Sequence, residues 1–443
     1  MIDLREVVKK LEDRGVSEAE VVMWRSRRVR VSFTEQPNEL LDLDTVSLGI
    51  RIVINKRVGV LGIEDISPNK IDEYIDQVIS ITKTSPEDPN WRQLNRSYGK
   101  TDIPGVYSKE LEEVSYDKIS SLIKEIIQNI KKEDPDAKVS RGSLSIGTVE
   151  FNYTNSYMSD VVSRKENSFN IYTLVRIDTS EGVGSFSDFV VGRSLDKELD
   201  IDEFSRNLAR RARDFVKADK TETGKYTVVF ENTVNAAILS AVFSSAVSSE
   251  NIYRGRSPLV NKLGTQVLSE KIEIVDDGTI GEYIGSREFD DEGHPTQRTI
   301  VVERGVLKSY LYDSYYANLM NTRSTGNAWR SISSSPRPSH NVLIMKSGSR
   351  SLNDLIRDIR RGVYVVRVIG EWLSNPVSGY TQATITHAYE IINGEISRAL
   401  KGGTLTMNFY EGYGKNLIDI AKETRKVPRI VAPHAIISDV NIS

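Results

Sequence analysis

Apolar residues along this chain fall into two rhythms that change over several times. Leu4, Val7, Val8 and Leu11 recur at helical spacing, with Gly15 where such a helix would end. Alternation follows: Val29, Val31 and Phe33, then Val46, Leu48, Ile50, Ile52 and Ile54, the spacing of strands with one apolar face. Asn55-Lys56 reads as a turn into a strand over 58–63. Ser67-Pro68 supplies an N-cap and a first helical turn, and the helix it opens carries Ile71, Tyr74, Ile75 and Val78 on one side. Residues 1–82 thus predict a small α+β unit.

Residues 84–110 hold Pro86, Pro89, Pro104 and Gly105 among polar residues and read as a long linker ordered by packing on its neighbours. Ile119, Leu122, Ile123, Ile126, Ile127 and Ile130 form the stripe of a second helix. Separate strands are expected at 144–146, 149–153 and 169–177. A third helix over 201–217 turns Phe204, Leu208, Ala212 and Phe215 inward. The strand 226–230 leads into 233–249, a helix rich in Ala, Ser and Val. Beyond about residue 270 the pattern is mostly β, with hairpin turns at Arg304-Gly305 and Asn393-Gly394. One helix interrupts, from Ser351 as N-cap to Gly362 at its end. The expected fold class is α+β: an N-terminal α/β domain of antiparallel strands and helices over 1–220, and a C-terminal β-rich domain with few helices over 221–443.

Charge and composition narrow the function. The 443 residues carry 59 Lys and Arg against 62 Asp and Glu, a net charge of −3. That lacks the positive excess of a dedicated nucleic-acid binder. The basic stretch Arg25, Arg27, Arg28 and Arg30 reads as the solvated face of a strand pair. There is no cysteine, hence no disulfide, thiolate metal site or Cys nucleophile. No signal-like apolar stretch opens the chain and no apolar run reaches 18 residues, so no membrane segment is expected and the cytoplasm is the expected location.

Candidate chemistry is sparse. The four histidines, His294, His340, His387 and His434, have no metal-ligand spacing, and the zinc-helix pattern H-E-x-x-H is absent. Neither a P-loop nor a G-x-S-x-G elbow occurs. The clusters Asp276-Asp277-Gly278 and Asp290-Asp291-Glu292-Gly293 read as acidic turns between strands or as oxygen ligands for a cation. Ser240, Ser244, Ser245, Ser248 and Ser249 most simply permit close packing, since a serine nucleophile needs a base within reach.

The order of short motifs in the second half resembles the TldD/PmbA family. These are Val275–Gly278, Asp290–Gly293, Val301–Leu307, Arg323–Asn327, Arg361–Val365, Asn375–Tyr380 and Ile392–Ile396, with Thr84–Pro89 similar to the PmbA branch. The resemblance implies cytosolic proteases, some named modulators of DNA gyrase, with a C-terminal domain that builds the peptidase site. It implies that active TldD-type subunits carry zinc on H-E-x-x-x-H plus a Cys, whereas PmbA-type subunits lack these and pair with an active subunit. Aligned through Asn251–Gly255, the two family histidines fall on Ser240 and Ser245 and the glutamate on Ala241. Hydroxyls bind zinc weakly beside imidazole or thiolate, and alanine accepts no proton. Five residues of ideal helix turn by roughly 500°, leaving such a histidine pair about 140° apart, so the family site needs a distorted turn.

The expectation is therefore a non-catalytic PmbA-like subunit without its own cofactor, zinc belonging only to a catalytic TldD-like partner. Partners are a TldD-like paralogue or a second copy, with peptide substrate possible and neither nucleic acid nor membrane. Arg254, His294, Arg323 and His387 are candidate peptide or partner contacts. Two alternatives stay open: an active metallopeptidase whose atypical site gathers His294, His387 and the acidic turns, and a homodimeric peptide-binding protein that adds strands to its sheet edges.

Overall fold

A computed structural model describes residues 2–443. Its first half is built on one antiparallel sheet of six strands: β1 Glu18–Phe33, β2 Pro37–Ile54, β3 Arg57–Glu64, β4 Ala137–Asn155, β5 Val162–Thr179 and β6 Gly182–Gly192, in the order β3-β2-β1-β4-β5-β6. The unit read over 1–82 contributes three of these strands, and β1 pairs with β4 to make the sheet continuous. Asn55 and Lys56 both adopt positive φ in the tight β2–β3 turn.

Four helices cover one face of that sheet: α1 Leu4–Asp13, α2 Ile71–Thr84, α3 Tyr116–Glu133 and α4 Ile201–Asp214. Asp3 caps α1 by accepting from the backbone of Arg5 and Glu6, and Ser115 caps α3 through Lys118 N–H. Ala19 and Val21 at one end of β1 pack with α1 and α2. Val29, Val31 and Phe33 at its other end pack with α3 and α4. All five are odd-numbered and so share a face.

The separate strands expected at 144–146 and 149–153 are one strand, β4. Leu144 and Ile146 face the helices, whereas Phe151 and Tyr153 lie in a second cluster with Val22 and Phe289. The apolar phase shifts because the strand changes which of its faces is buried against a core, not because the strand ends. The helix expected up to Gly362 stops at Arg357, and Arg361–Ile369 is a strand. Gly362 is needed for a close approach instead: a Cβ there would lie 2.7 Å from the Thr227 carbonyl oxygen.

In the second half, β7 Gly224–Phe230, β8 Arg361–Ile369, β9 Tyr380–Ile392, β10 Thr404–Asn408 and β11 Ile430–Ile442 close into a barrel. Each pairs with the next around the ring, and β11 returns to β7. Val228, Val365, Ile385, Leu405 and Ile437 belong to the core inside. Val229, Tyr364, Val366, Tyr389 and Ile436 face out and join the core of the helical layer. Helices α3 and α4 thus lie between sheet and barrel, whereas α1 and α2 share a core with β1 and β2 alone, and α+β is the class the structure shows. No helix is long and apolar enough to cross a membrane, among the described residues.

Candidate functional site

The segment after β7 begins as an α-helix, Asn232–Ile238, but Leu239–Phe243 forms a π turn. Its widened hydrogen bonding is explicit: Ser244 N–H donates to the Leu239 carbonyl, five residues back. This is the distorted turn that the i, i+5 spacing requires, since a π turn brings residues five apart toward one side. Ser240 is exposed, and Ala241, Ser244 and Ser245 are half-buried. The turn is anchored from beneath. Val242 and Phe243 are fully buried, and the Phe243 ring stacks 5.9 Å from that of Phe409. Asn235, one turn earlier, donates to the Pro433 carbonyl at 2.8 Å and accepts from Tyr413 Oη at 2.6 Å.

The outer side chains are already occupied with local work. Ser244 Oγ donates to the Ser240 carbonyl at 2.7 Å, and the Ser245 carbonyl accepts from Asn251 Nδ2 at 2.8 Å. Zinc, which the resemblance implies for active relatives, does not fit this donor set. Two neutral hydroxyls and a methyl group replace two imidazoles and a carboxylate. No group of three or more His, Asp or Glu side chains gathers in metal-holding geometry anywhere among the described residues.

No hydrogen bond or ion pair joins any two of the four candidate contact residues, among the described residues. Arg254 follows the short helix Ser249–Tyr253, its Nε 3.2 Å from Tyr316 Oη and 3.2 Å from Glu250. Arg323 is exposed on a loop. His294 is half-buried, with Nδ1 2.9 Å from the Pro295 carbonyl. His387 on β9 bridges the halves: its Nε2 lies 2.7 Å from the Ser185 carbonyl on β6, and its ring meets Phe215 edge-on at 4.4 Å. Burial depresses its pKa. Neither His294 nor His387 belongs to a cluster of three or more His, Asp or Glu able to hold a metal, among the described residues, which removes support from an atypical metal site built on them.

The acidic segment 290–293 is not an exposed turn. Asp290, Asp291 and Glu292 are 0%, 1% and 2% exposed and form a seam between the halves. Asp291 Oδ1 accepts from Arg164 at 2.7 Å and Arg287 at 2.8 Å. Glu292 accepts from Ser314 N–H at 2.8 Å and sits 3.4 Å from Arg51. Arg51 donates at 2.7 Å to Glu20, which also accepts from Tyr153 and Arg330. Burial raises the Glu20 pKa, but Arg51 and Arg330 outweigh it and the net shift is downward. Asp276, which accepts from Asn327 Nδ2 and Asn341 N–H, is pushed up to about 7 by burial. Burial and then the neighbouring Glu292 push Asp290 up to about 6. His340 is driven down to about 3 by burial and then by Arg429.

Reading the sequence missed this seam. Glu20 and Arg51 alternate with apolar neighbours, and Arg164 stands between Ser163 and Lys165, so all three read as residues of a wet strand face. The one available signal was the density of charge on both sides of β1, β2 and β5.

These features agree with what the chain is similar to. Residues 223–443 match the family described as PmbA/TldA metallopeptidase C-terminal domain. An uncharacterised protein of Methanocaldococcus jannaschii is 30% identical over 94% of this chain and 96% of its own length. A metalloprotease TldD homolog of Buchnera aphidicola is 34% identical over 51% of this chain and 47% of its own. The crystal structure of TldE from Thermococcus kodakarensis superposes with a TM-score of 0.90 at 24% identity, covering 99% of both chains, and shares the fold. The chain belongs to the TldD/PmbA family.

Proposed function

We propose that this chain is a non-catalytic, PmbA-like subunit of a cytoplasmic peptidase complex, paired with a histidine-containing TldD-like paralogue that supplies zinc. The observation that carries the reading is the π turn. Its backbone has the shape a histidine pair five residues apart requires, yet Ser240, Ala241 and Ser245 occupy the three positions. The reading treats residues 1–220 and 221–443 as two domains, the second bearing the turn. Support for a partner comes from the turn's border. The 3₁₀ turn Glu371–Leu373 packs beside it, with Trp372 and Leu373 64% and 65% exposed. Exposed apolar side chains of this size suit a covered interface.

The test is metal analysis and peptide cleavage by the purified chain, alone and mixed with its closest histidine-containing paralogue. Alone, it should bind no stoichiometric zinc and cleave no peptide. With the paralogue it should co-elute as one species with chelator-sensitive activity, and Trp372→Ala should weaken co-elution. Chelator-sensitive cleavage by the pure chain would overturn the proposal. So would a chain that associates only with itself.

A further inference from the structure

Strand β2 outruns its neighbour. β3 pairs with it only from Ser47 to Ile54, so residues 38–46 pair with β1 alone. Among the described residues, no other backbone reaches their outer edge. β3 is pinned in place on both faces: a Cβ at Gly59 would strike Thr82 of α2, and one at Gly62 would fall 2.8 Å from Ser333 Cα in the 329–335 loop. The free stretch of β2 is about 30 Å long at roughly 3.4 Å per residue. Alternate residues along it point N–H and C=O outward, which is a template for another strand. The opposite edge of the sheet is closed, because His387 and Arg367 reach the Ser185 and Ser187 carbonyls of β6.

The same edge is apolar on both faces. Leu40, Leu41, Leu43 and Val46 are 51%, 39%, 46% and 36% exposed. Leu40 and Val46 lie on the helix side of the sheet, in phase with Leu48 and Ile50. Leu41 and Leu43 lie on the other side, across from Arg30 and Arg28 of β1. Long free edges are ordinarily blunted by lysine, proline, a bulge or a covering element. Residues 38–46 contain neither lysine nor proline, and their register with β1 is unbroken. Their acids are neutralised at home: Arg27 holds Asp42 at 3.1 and 2.9 Å, and Arg25 holds Asp44 at 3.3 and 2.8 Å. Over the hairpin 24–46, Arg25, Arg27, Arg28 and Arg30 balance Glu35, Glu39, Asp42 and Asp44. A hairpin without net charge raises no repelling field against an identical one.

We infer that a second copy of this chain covers the edge, its residues 38–46 running antiparallel to the same residues about a two-fold axis at Asp42. The gap sets this register. The free stretch is centred on Asp42 and ends where β3 begins to pair at Ser47. A register shifted toward Val46 would drive the turn 34–37 of one copy into β3 of the other, and a shift the other way would leave part of the edge bare. About this axis Leu41 stands opposite Leu43 of the second copy, twice, so four leucines meet on one face, flanked by Arg28 and Arg30. Cross-strand pairs of this kind are what stabilise a sheet. On the other face the two Asp42 side chains meet, each already engaged by Arg27 and by the Tyr116 hydroxyl at 2.6 Å. The two six-stranded sheets become continuous. This contact is independent of the paralogue reading, which rests on Trp372 in the second half of the chain.

Analytical ultracentrifugation of the full chain and a cysteine cross-link test it. Alone, the chain should sediment as a dimer at about 10 µM and above. Leu41→Lys combined with Leu43→Lys should raise the dimer Kd about a hundredfold or more, by setting four ammonium groups where four leucines met. Trp372→Ala should leave it unchanged. Because the chain has no cysteine, Asp42→Cys supplies one thiol per copy. Opposed Cα atoms in an antiparallel pair lie about 4.5–5.5 Å apart, within disulfide reach. Mild oxidation should therefore yield a covalent dimer, whereas Glu12→Cys, exposed on α1, should not. Should the double lysine variant not fold, the cross-link decides. A wild-type chain still monomeric at about 100 µM, a dimer unaffected in the folded double variant, or no more cross-linking at residue 42 than at residue 12 would overturn the inference. A chain monomeric alone, whose complex with the paralogue is lost in the double variant, would also overturn it and assign the edge to the paralogue. Cross-linking at residue 42 with no paralogue bound would support the dimer while removing the subunit reading.

Discussion

The π turn at Leu239–Phe243 and the charged seam between the halves differ in what holds them in shape. Beneath the turn, Val242, Phe243 and Phe409 fix an unusual backbone by apolar packing. Its outward side chains contribute little to that packing, so catalytic groups can be absent there while the geometry persists. In the seam the side chains are themselves the structure. Glu20, Arg51, Glu292, Asp291, Arg164 and Arg287 each hold another buried charge. Removing one strands its partners in a medium where an unpaired charge is costly. Among the motifs that carry the family resemblance, 290–293 lies at this seam, and 275–278 and 323–327 join each other behind it through Asp276 and Asn327. They therefore report architecture more than chemistry.

The comparison is broken most sharply by Glu20→Ala. It leaves Arg51 and Arg330 without their shared carboxylate and should cost about 3–5 kcal/mol in chemical denaturation, as for other half-removed buried ion pairs. A loss no larger than that of a surface substitution would mean the seam is not held by its charges.

Asp276→Asn tests the seam through pH. The Asp276 pKa is raised to about 7 from an ordinary 3.8. Its contribution is thus fully present below pH 3.8 and is lost as pH rises through 7. Between pH 5 and pH 8 the wild type should lose roughly 3 kcal/mol relative to Asp276→Asn, at about 1.4 kcal/mol for each of the two pH units over which the proton is held. Urea unfolding at the two pH values measures this, and a constant difference would refute it.

Gly62→Val overfills the contact between β3 and the 329–335 loop and should cost about 1–3 kcal/mol, the usual range for overpacking. Displacement of the loop should appear as a change in Trp329 fluorescence, read against a Trp329→Phe control. The smallest effect belongs to the turn. Ser240→Ala and Ser245→Ala should each change stability by no more than about 0.5 kcal/mol, in the same unfolding assay. A large loss would show that these serines have become structural in their own right.

Much of the fold was legible locally. Asn393-Gly394 marked a hairpin, and both residues take positive φ. Gly15 sits past α1 with φ +84°, and the stripe at 119–130 is the buried side of α3. The requirement for a distorted turn followed from a spacing of five residues. The seam was not legible, because alternation tells which residues share a face but not what covers it. Glu20 and Arg51 occupy the face that period-2 reasoning assigns to water, and the second half of the chain covers it.

By itself, then, the sequence determined the element types, the α+β class and the absence of imidazole, thiolate and carboxylate between Thr233 and Ser249. These follow from local backbone preference and residue identity. Only the tertiary structure decided that the acidic turn is buried, that β4 serves two cores and that the Arg330 side chain is buried against Glu20. Each depends on contacts between segments over a hundred residues apart, such as Glu20 with Arg330, and no local pattern encodes which distant surface will arrive.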